Sequence, residues 1–273
     1  MNNTTARAAE RIRGARALVF TAGAGMGVDS GLPDFRGPEG FWRAYPPFRA
    51  LGLHFEDLAN PVWFERDPAL AWGFYGHRLG LYRSTTPHRG FALLRAWAAR
   101  APAGAFVFTT NIDGHFQRAG FADERVIEYH GSLGWLQCTK GCGAGIFSAA
   151  GVEVRVDPAT FRAMGALPRC PGCGALARPN VLMFGDWSWE QERTAAQSER
   201  LERWLAATDP AQVVVIECGA GTAVPSARRF GERLQAQGAT LVRINPREAA
   251  GPEGTLSIET GAKAALEALD GAI

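Results

Sequence analysis

The chain has 273 residues, 47% of them hydrophobic and 21% charged, with a formal net charge of +2. This is apolar material enough for a full globular core, so a disordered chain is excluded, and with Lys140 and Lys263 as the only lysines and no long basic block, nucleic-acid binding is not indicated. No apolar run approaches the roughly 18 residues of a membrane span and the first 16 residues lack a secretory leader's apolar stretch, so no membrane partner is expected and the cytoplasm is the expected compartment.

In chain order, residues 5–16 have helical composition, with Gly14 near their end, and are expected to pack beside the first strand. That strand is the apolar run Ala17, Leu18, Val19, Phe20. It opens into a turn carrying Gly23, Gly25 and Gly27, where backbone N–H groups can converge on an anion at the start of a helix, so a phosphate is the candidate ligand. The strict G-x-G-x-x-G fingerprint fails, because Val28 stands where Gly23 and Gly25 call for a third glycine and the acid about 20 residues on is missing. An ordinary dehydrogenase is therefore not expected, while a ligand-free glycine turn stays open. The next residues, Gly31-Leu32-Pro33-Asp34-Phe35-Arg36-Gly37, present a carboxylate, a ring and a guanidinium side by side on a rigid turn, more than a linker requires.

From Gly23 to Arg36 the sequence GAGMGVDSGLPDFR resembles the first signature of the sirtuins, the NAD-dependent protein lysine deacylases, with Gly27 where that family usually has serine. The resemblance implies an α/β fold, a doubly wound Rossmann-like parallel sheet with a small zinc-binding and helical module. It implies NAD as co-substrate, held in part by Gly23, Ala24, Gly25, Asp34, Phe35 and Arg36, and an acylated protein or peptide as partner. It extends from Leu18 to the last helix.

Residues 38–61, rich in Pro, Gly and the aromatics Phe41, Trp42, Tyr45 and Phe48, read as a loop-dominated cover with short helices, either a mobile lid or a packed irregular connection. Residues 68–83 form a predicted helix on which Tyr75 and Arg78 share a face and can hold a carboxylate. Phe74-Tyr75-x-x-Arg78 resembles the Tyr-x-x-Arg of sirtuins that prefer succinyl- or malonyl-lysine; a core tyrosine beside a surface arginine is the alternative. Thr86-Pro87 is read as the cap of a second helix over residues 88–100, followed by a strand over 106–109. At its carboxyl end stand Thr110, Asn111, Ile112 and Asp113, where open α/β sheets bind ligands and where a helix cap would also place Asn and Asp. The resemblance, with Thr110 in place of the family's glutamine, implies that this segment holds the nicotinamide ribose and carboxamide region.

The strand over 125–129 ends at His130-Gly131, and a histidine titrating near neutrality can accept a hydroxyl proton there, with Gly131 leaving room for a substrate. In the family this His-Gly supplies the general base, so the resemblance assigns His130, with Asn111 and Asp113, to catalysis. Cys138-x-x-x-Cys142 and Cys170-x-x-Cys173 are spaced as two thiolate pairs of one closed structural Zn²⁺ site, and Cys218 is left over. Residues 178–186 resemble the family's Arg-Pro-x-Val-x-x-Phe-Gly-Glu, with Asp186 for glutamate; the resemblance implies that Phe184 and Gly185 meet the substrate peptide as an added strand.

An amphipathic helix over 190–207 with Trp204 and Leu205 inward, and a buried strand over 213–217, come next. The Gly219 turn stands where the family binds phosphate, but it lacks the family's serine. Asn245, after a strand over 241–244, resembles the family residue that contacts the adenosine ribose. An edge strand over 255–258 and a helix over 261–269 close the chain. As one catalytic domain, the Rossmann-like core is expected over about 1–38, 87–131 and 178–273, the helical module over about 39–86 and the zinc module over about 132–177. ADP-ribosyl transfer or NAD hydrolysis on the same fold, and a non-catalytic NAD or ADP-ribose sensor that binds a partner protein, are the alternatives to deacylation.

Overall fold

The computed structural model describes residues 3–34 and 37–273. Helix α1 (Asn3–Gly14) leads into β1 (Ala17–Ala22), which ends at the short helix α2 (Gly25–Val28). Four short helices follow, α3 (Gly37–Ala44), α4 (Pro46–Ala50), α5 (Phe55–Leu58) and α6 (Trp63–Arg66), then the long α7 (Pro68–Ser84) and α8 (Arg89–Arg100). The chain re-enters the sheet as β2 (Ala105–Thr109), turns through α9 (His115–Arg118) and continues as β3 (Val126–Glu128). A second module holds β4 (Gly131–Cys138), β5 (Phe147–Ser148), β6 (Arg155–Val156), β7 (Ala163–Met164) and β8 (Ala177–Val181). The remainder is α10 (Glu192–Ala206), β9 (Val213–Cys218), α11 (Ser226–Ala236), β10 (Thr240–Ile244), β11 (Leu256–Ile258) and α12 (Ala262–Asp270).

The main sheet has the order β11-β10-β9-β1-β2-β3 with every pair parallel. Strands covered on both faces read as continuous apolar runs, and alternate residues divide between two cores. Leu18, Phe20 and Val107 face α1, α8 and α12, whereas Val19, Phe106 and Phe108 face α10 and α11, where Phe108 stacks on Phe230 at 4.2 Å. Fully burying one such aromatic or aliphatic side chain contributes about 1.5–3 kcal/mol. The chain leaves β1 toward β2 and β3 and later returns to its other side as β9, so strand order reverses between β1 and β9. That reversal is the crevice where open α/β sheets bind ligands. Across β9 and β10 the Arg243 guanidinium grips Glu217 through two bonds of 2.6 and 3.0 Å, both side chains being fully buried, and it also reaches Glu232 at 2.8 Å.

A third core joins the short helices, α7 and the smaller sheet of order β5-β4-β8. Phe41, Tyr45 and Phe48 are at most 1% exposed and pack edge-to-face against Phe74 of α7. Residues 40–61 are therefore a packed connection of helical turns, the second of the two readings above. Helix α7 is buried on nearly every side, which explains its apolar and aromatic composition all round rather than in a stripe.

Two further readings shift. The cap of α8 is His88, whose Nδ1 accepts from the Gly90 N–H at 3.0 Å while Nε2 bonds the Met26 carbonyl at 3.0 Å, so Thr86 is not the capping residue. The inward face of α10 is Thr194, Gln197 and Leu201; Trp204 and Leu205 are half-buried at the rim, where the Trp204 indole donates to the Ala103 carbonyl at 3.0 Å. No helix among the described residues is long and apolar enough to cross a membrane.

Candidate active site

The carboxyl ends of β1 and β9 meet through backbone alone. Gly25 N–H donates to the Gly219 carbonyl at 3.0 Å and Gly23 N–H to Cys218 at 3.1 Å. A Cβ on Gly25 would lie 2.7 Å from Gly219 Cα, and one on Gly219, whose φ is +62°, would lie 2.3 Å from the Gly25 carbonyl carbon. These glycines thus close the turn against its neighbour, and their own amides are committed inside the protein. The amide in this turn that no described residue accepts is that of Ala24, which is exposed.

The end of β2 is drawn onto the same turn. Asn111 Nδ2 donates to the Gly23 carbonyl at 2.9 Å, its own N–H is held by Thr109 Oγ1 at 3.0 Å, and Thr110 N–H bonds the Ala22 carbonyl at 3.0 Å. Asp113 is half-buried and accepts from the His115 N–H at 2.9 Å. Burial raises its carboxyl pKa, opposed by His115 and by the Arg78 guanidinium. Ile112 is 7% exposed and packs into the core under the helical module, its carbonyl held by Leu133 N–H, so its side chain positions the segment and is not open to a ligand.

His130 follows β3 and is half-buried. Its Nε2 lies 3.4 Å from Ser226 Oγ at the start of α11, and the residue before His130, Tyr129, donates its N–H to the Thr109 carbonyl at 2.8 Å. Burial lowers its pKa and the Thr110 carbonyl opposes that shift. Gly131 is required for a reason other than substrate space: φ is +75° and a Cβ there would stand 2.1 Å from the Asn180 carbonyl oxygen of β8. Gly131→Ala is accordingly expected to destabilise the fold by about 3 kcal/mol or more, measured by urea unfolding, since left-handed strain and a backbone clash add.

Tyr75 and Arg78 both lie on α7 and are 1% and 6% exposed, so Arg78 is not a surface arginine. The guanidinium sits 5.1–6.0 Å from the ring centroids of Phe55, Phe74, Tyr75 and Tyr82. Phe184, 42% exposed, meets Phe55 edge-on at 6.2 Å and its N–H bonds the Ala59 carbonyl at 2.8 Å, which places Gly185 (φ +66°) on the same rim. Asp186 accepts two bonds from Arg178, at 2.7 and 2.9 Å, with both side chains buried, so this departure from glutamate still anchors the loop. Asn245 is fully buried, donating to the Ala220 carbonyl and accepting from Arg247 and Glu248 N–H groups. Its side-chain amide thus ties together the loop that follows β10. Asp34 is half-buried; Phe35 and Arg36 lie outside the described residues.

The donor set fits a dinucleotide: an exposed amide at the strand reversal, a carboxamide, a carboxyl and an imidazole converge there. Apart from it, the four sulfurs of Cys138, Cys142, Cys170 and Cys173 all lie within 4.8 Å of one another, with 3.6 Å between Cys138 and Cys173 and 3.5 Å between Cys142 and Cys170. A zinc tetrahedron with bonds of about 2.3 Å has edges of about 3.8 Å, so the quartet fits one four-thiolate ion with no open position. Sequence reasoning missed Ser226 and Tyr82, which carry no motif and reach the site through tertiary packing alone.

A model of the Sir2 family matches residues 23–213. The chain is 33% identical to an NAD-dependent protein deacylase of Aeropyrum pernix over 84% of this chain and 80% of that one. It is also 33% identical to the mitochondrial NAD-dependent protein deacylase sirtuin-5 of Danio rerio, over 86% of this chain and 76% of that one. A mutant Sir2 homologue in complex with ADP-ribose superposes with a TM-score of 0.76 at 27% identity, covering 100% of this chain and 96% of the other. A Sir2 homologue in complex with NAD gives 0.74 at 27% identity, covering 97% and 91%.

Proposed function

The chain belongs to the Sir2 family, and we propose that it is an NAD-dependent protein lysine deacylase in which Asn111, Asp113 and His130 form the reaction centre. The observation that supports the reading best is the meeting of three strand ends, with Asn111 bonded to Gly23 and Tyr129, the residue before His130, bonded to Thr109. NAD, when bound, supplies a glycosidic bond whose cleavage releases nicotinamide and leaves ADP-ribose as the acceptor of the acyl group.

The turn at Gly23, Ala24 and Gly25, with Asp34, Phe35, Arg36 and Gly219, would hold the pyrophosphate side, and Thr110, Asn111 and Asp113 the nicotinamide ribose, with Ile112 positioning that segment. His130 works as the base. In its neutral form the imidazole has one ring nitrogen with a lone pair, and that nitrogen takes a proton from a ribose hydroxyl. Phe184 and Gly185 line the approach of the acylated peptide. The four cysteines hold one structural zinc that supports the small sheet and takes no part in the reaction.

Tyr75 and Arg78 select the acyl group in this reading, favouring succinyl- or malonyl-lysine through a charge-assisted contact to the acyl carboxylate. Arg78→Met, similar in length and apolar, is expected to lower desuccinylation about 10- to 100-fold more than deacetylation, the range that a lost hydrogen bond to a charged group gives. Steady-state kinetics on matched succinyl- and acetyl-lysine peptides checks it; equal losses would remove Arg78 from acyl recognition.

Incubation with NAD and a panel of acetyl-, succinyl- and longer acyl-lysine peptides, followed by mass, tests the whole assignment. Deacylation gives O-acyl-ADP-ribose and free lysine. Modified protein would point to ADP-ribosyl transfer, free ADP-ribose to NAD hydrolysis, and no nicotinamide release to a binding protein.

A further inference from the structure

Three guanidiniums gather at the end of the main sheet away from the strand reversal. Arg200, Arg203 and Trp204 stand at i, i+3 and i+4 of α10 and so share one side of that helix. Arg125 ends the 3₁₀ turn Asp123–Arg125 and immediately precedes β3. Together with Phe106 and Glu124 these residues line a cavity of about 270 Å³. It lies at the amino ends of β2 and β3, whereas Asn111 and His130 follow their carboxyl ends.

The floor of the cavity is fixed. The Trp204 indole donates to the Ala103 carbonyl at 3.0 Å, and its ring lies 5.7 Å from that of buried Phe106. The Arg125 guanidinium sits over the same indole, 5.8 Å from its centroid. No ion pair among the described residues engages Arg125, Arg200 or Arg203. Arg200 Nε is shut off from solvent without an acceptor, and a buried donor left unpaired forfeits its hydration with nothing in return. The cavity thus sets three positive charges against the single exposed carboxylate of Glu124. A dianion would balance it, and the planar fork of arginine matches phosphate oxygens two at a time.

We propose that this cavity binds a phosphate group, held by Arg125, Arg200 and Arg203 between α10 and the turn that opens β3. The site is independent of the deacylase reading. Its ligand is either a free phosphate-bearing anion or a phosphorylated side chain of a partner protein, and the two share one chemistry.

Titration of the protein with inorganic phosphate, followed through the arginine Nε–H signals by NMR, reads the site directly, with the Arg200 signal assigned by its loss in Arg200→Lys. That signal is expected to shift saturably with phosphate and not with chloride at matched ionic strength. In the double variant Arg125→Gln/Arg203→Gln the affinity read at Arg200 should fall about tenfold or more, as the loss of hydrogen bonds to a charged group implies. Both substituted side chains are exposed, so the arginine spectrum elsewhere should match the wild type. An equal response to chloride, or an unchanged affinity in the double variant, overturns the proposal. A phosphoserine peptide that binds more tightly than inorganic phosphate assigns the site to a partner protein, and one that binds no more tightly assigns it to a free anion. Equal binding of the unphosphorylated peptide at this signal would contradict phosphate recognition altogether.

Discussion

His130→Ala is expected to lower the rate of lysine deacylation by about 10²–10⁴-fold, the range that a positioned general base contributes, while NAD still binds. The argument is geometric. The imidazole is half-buried, 3.4 Å from Ser226 Oγ and outside the three apolar cores, so truncation removes a base without opening the sheet. The segment placed against the dinucleotide is held independently, by Asn111 to Gly23 and Thr110 to Ala22. Calorimetric titration with NAD and single-turnover acyl transfer separate the two functions, and full activity in the variant would strike His130 from the mechanism.

The same residue predicts a pH dependence. Burial holds the His130 pKa below its usual 6.5. A base acts in its neutral form, so a lowered pKa carries the active form further into acid; the acidic limb of kcat/KM should lie below pH 6.5 in the wild type and be absent from any residual activity of His130→Ala.

Stripping the four-cysteine site should produce the largest structural effect. Strand β4 begins at Gly131, next to His130, and ends at Cys138, with β8 paired along it from Val181 to Ala177. A quartet at the far end of β4 therefore fixes the strand that leaves His130. Structural zinc contributes about 10–16 kcal/mol of apparent binding free energy in small modules that fold around it, and that energy is folding energy. Elemental analysis is expected to give one zinc per chain. A strong chelator or Cys170→Ser should release it, unfold the small sheet as read by hydrogen exchange in β4 and β8, and abolish deacylation, with β1, β2, β9 and β10 still protected. Full activity in zinc-free protein would contradict the link between the quartet and the site.

Much of this was legible because it rests on local pattern. Alternating cores behind continuous apolar strands, paired cysteines on tight turns, and polar residues following β2 and β3 all have sequence signatures. What escaped is tertiary. Gly25, Gly219 and Gly131 look alike as turn glycines, yet each is required where another backbone comes within van der Waals contact, at Gly219, Gly25 and Asn180 respectively. That the Asn245 amide closes the loop after β10 is likewise set by tertiary contacts. Tyr82 and Ser226 have no motif, and their significance comes from which side chains the packing of α7 and α11 places beside them. His88 replaced Thr86 as a helix cap because its ring could satisfy Met26 and Gly90 at once.

The account depends on one cleft serving both the dinucleotide and the imidazole. A crystal structure of the protein with NAD and an acyl-lysine peptide measures this directly. The nicotinamide ribose should lie within hydrogen-bond reach of His130 and Asn111, with the pyrophosphate at the Ala24 amide. A dinucleotide bound elsewhere, or a ribose more than one water molecule away from His130, would contradict it.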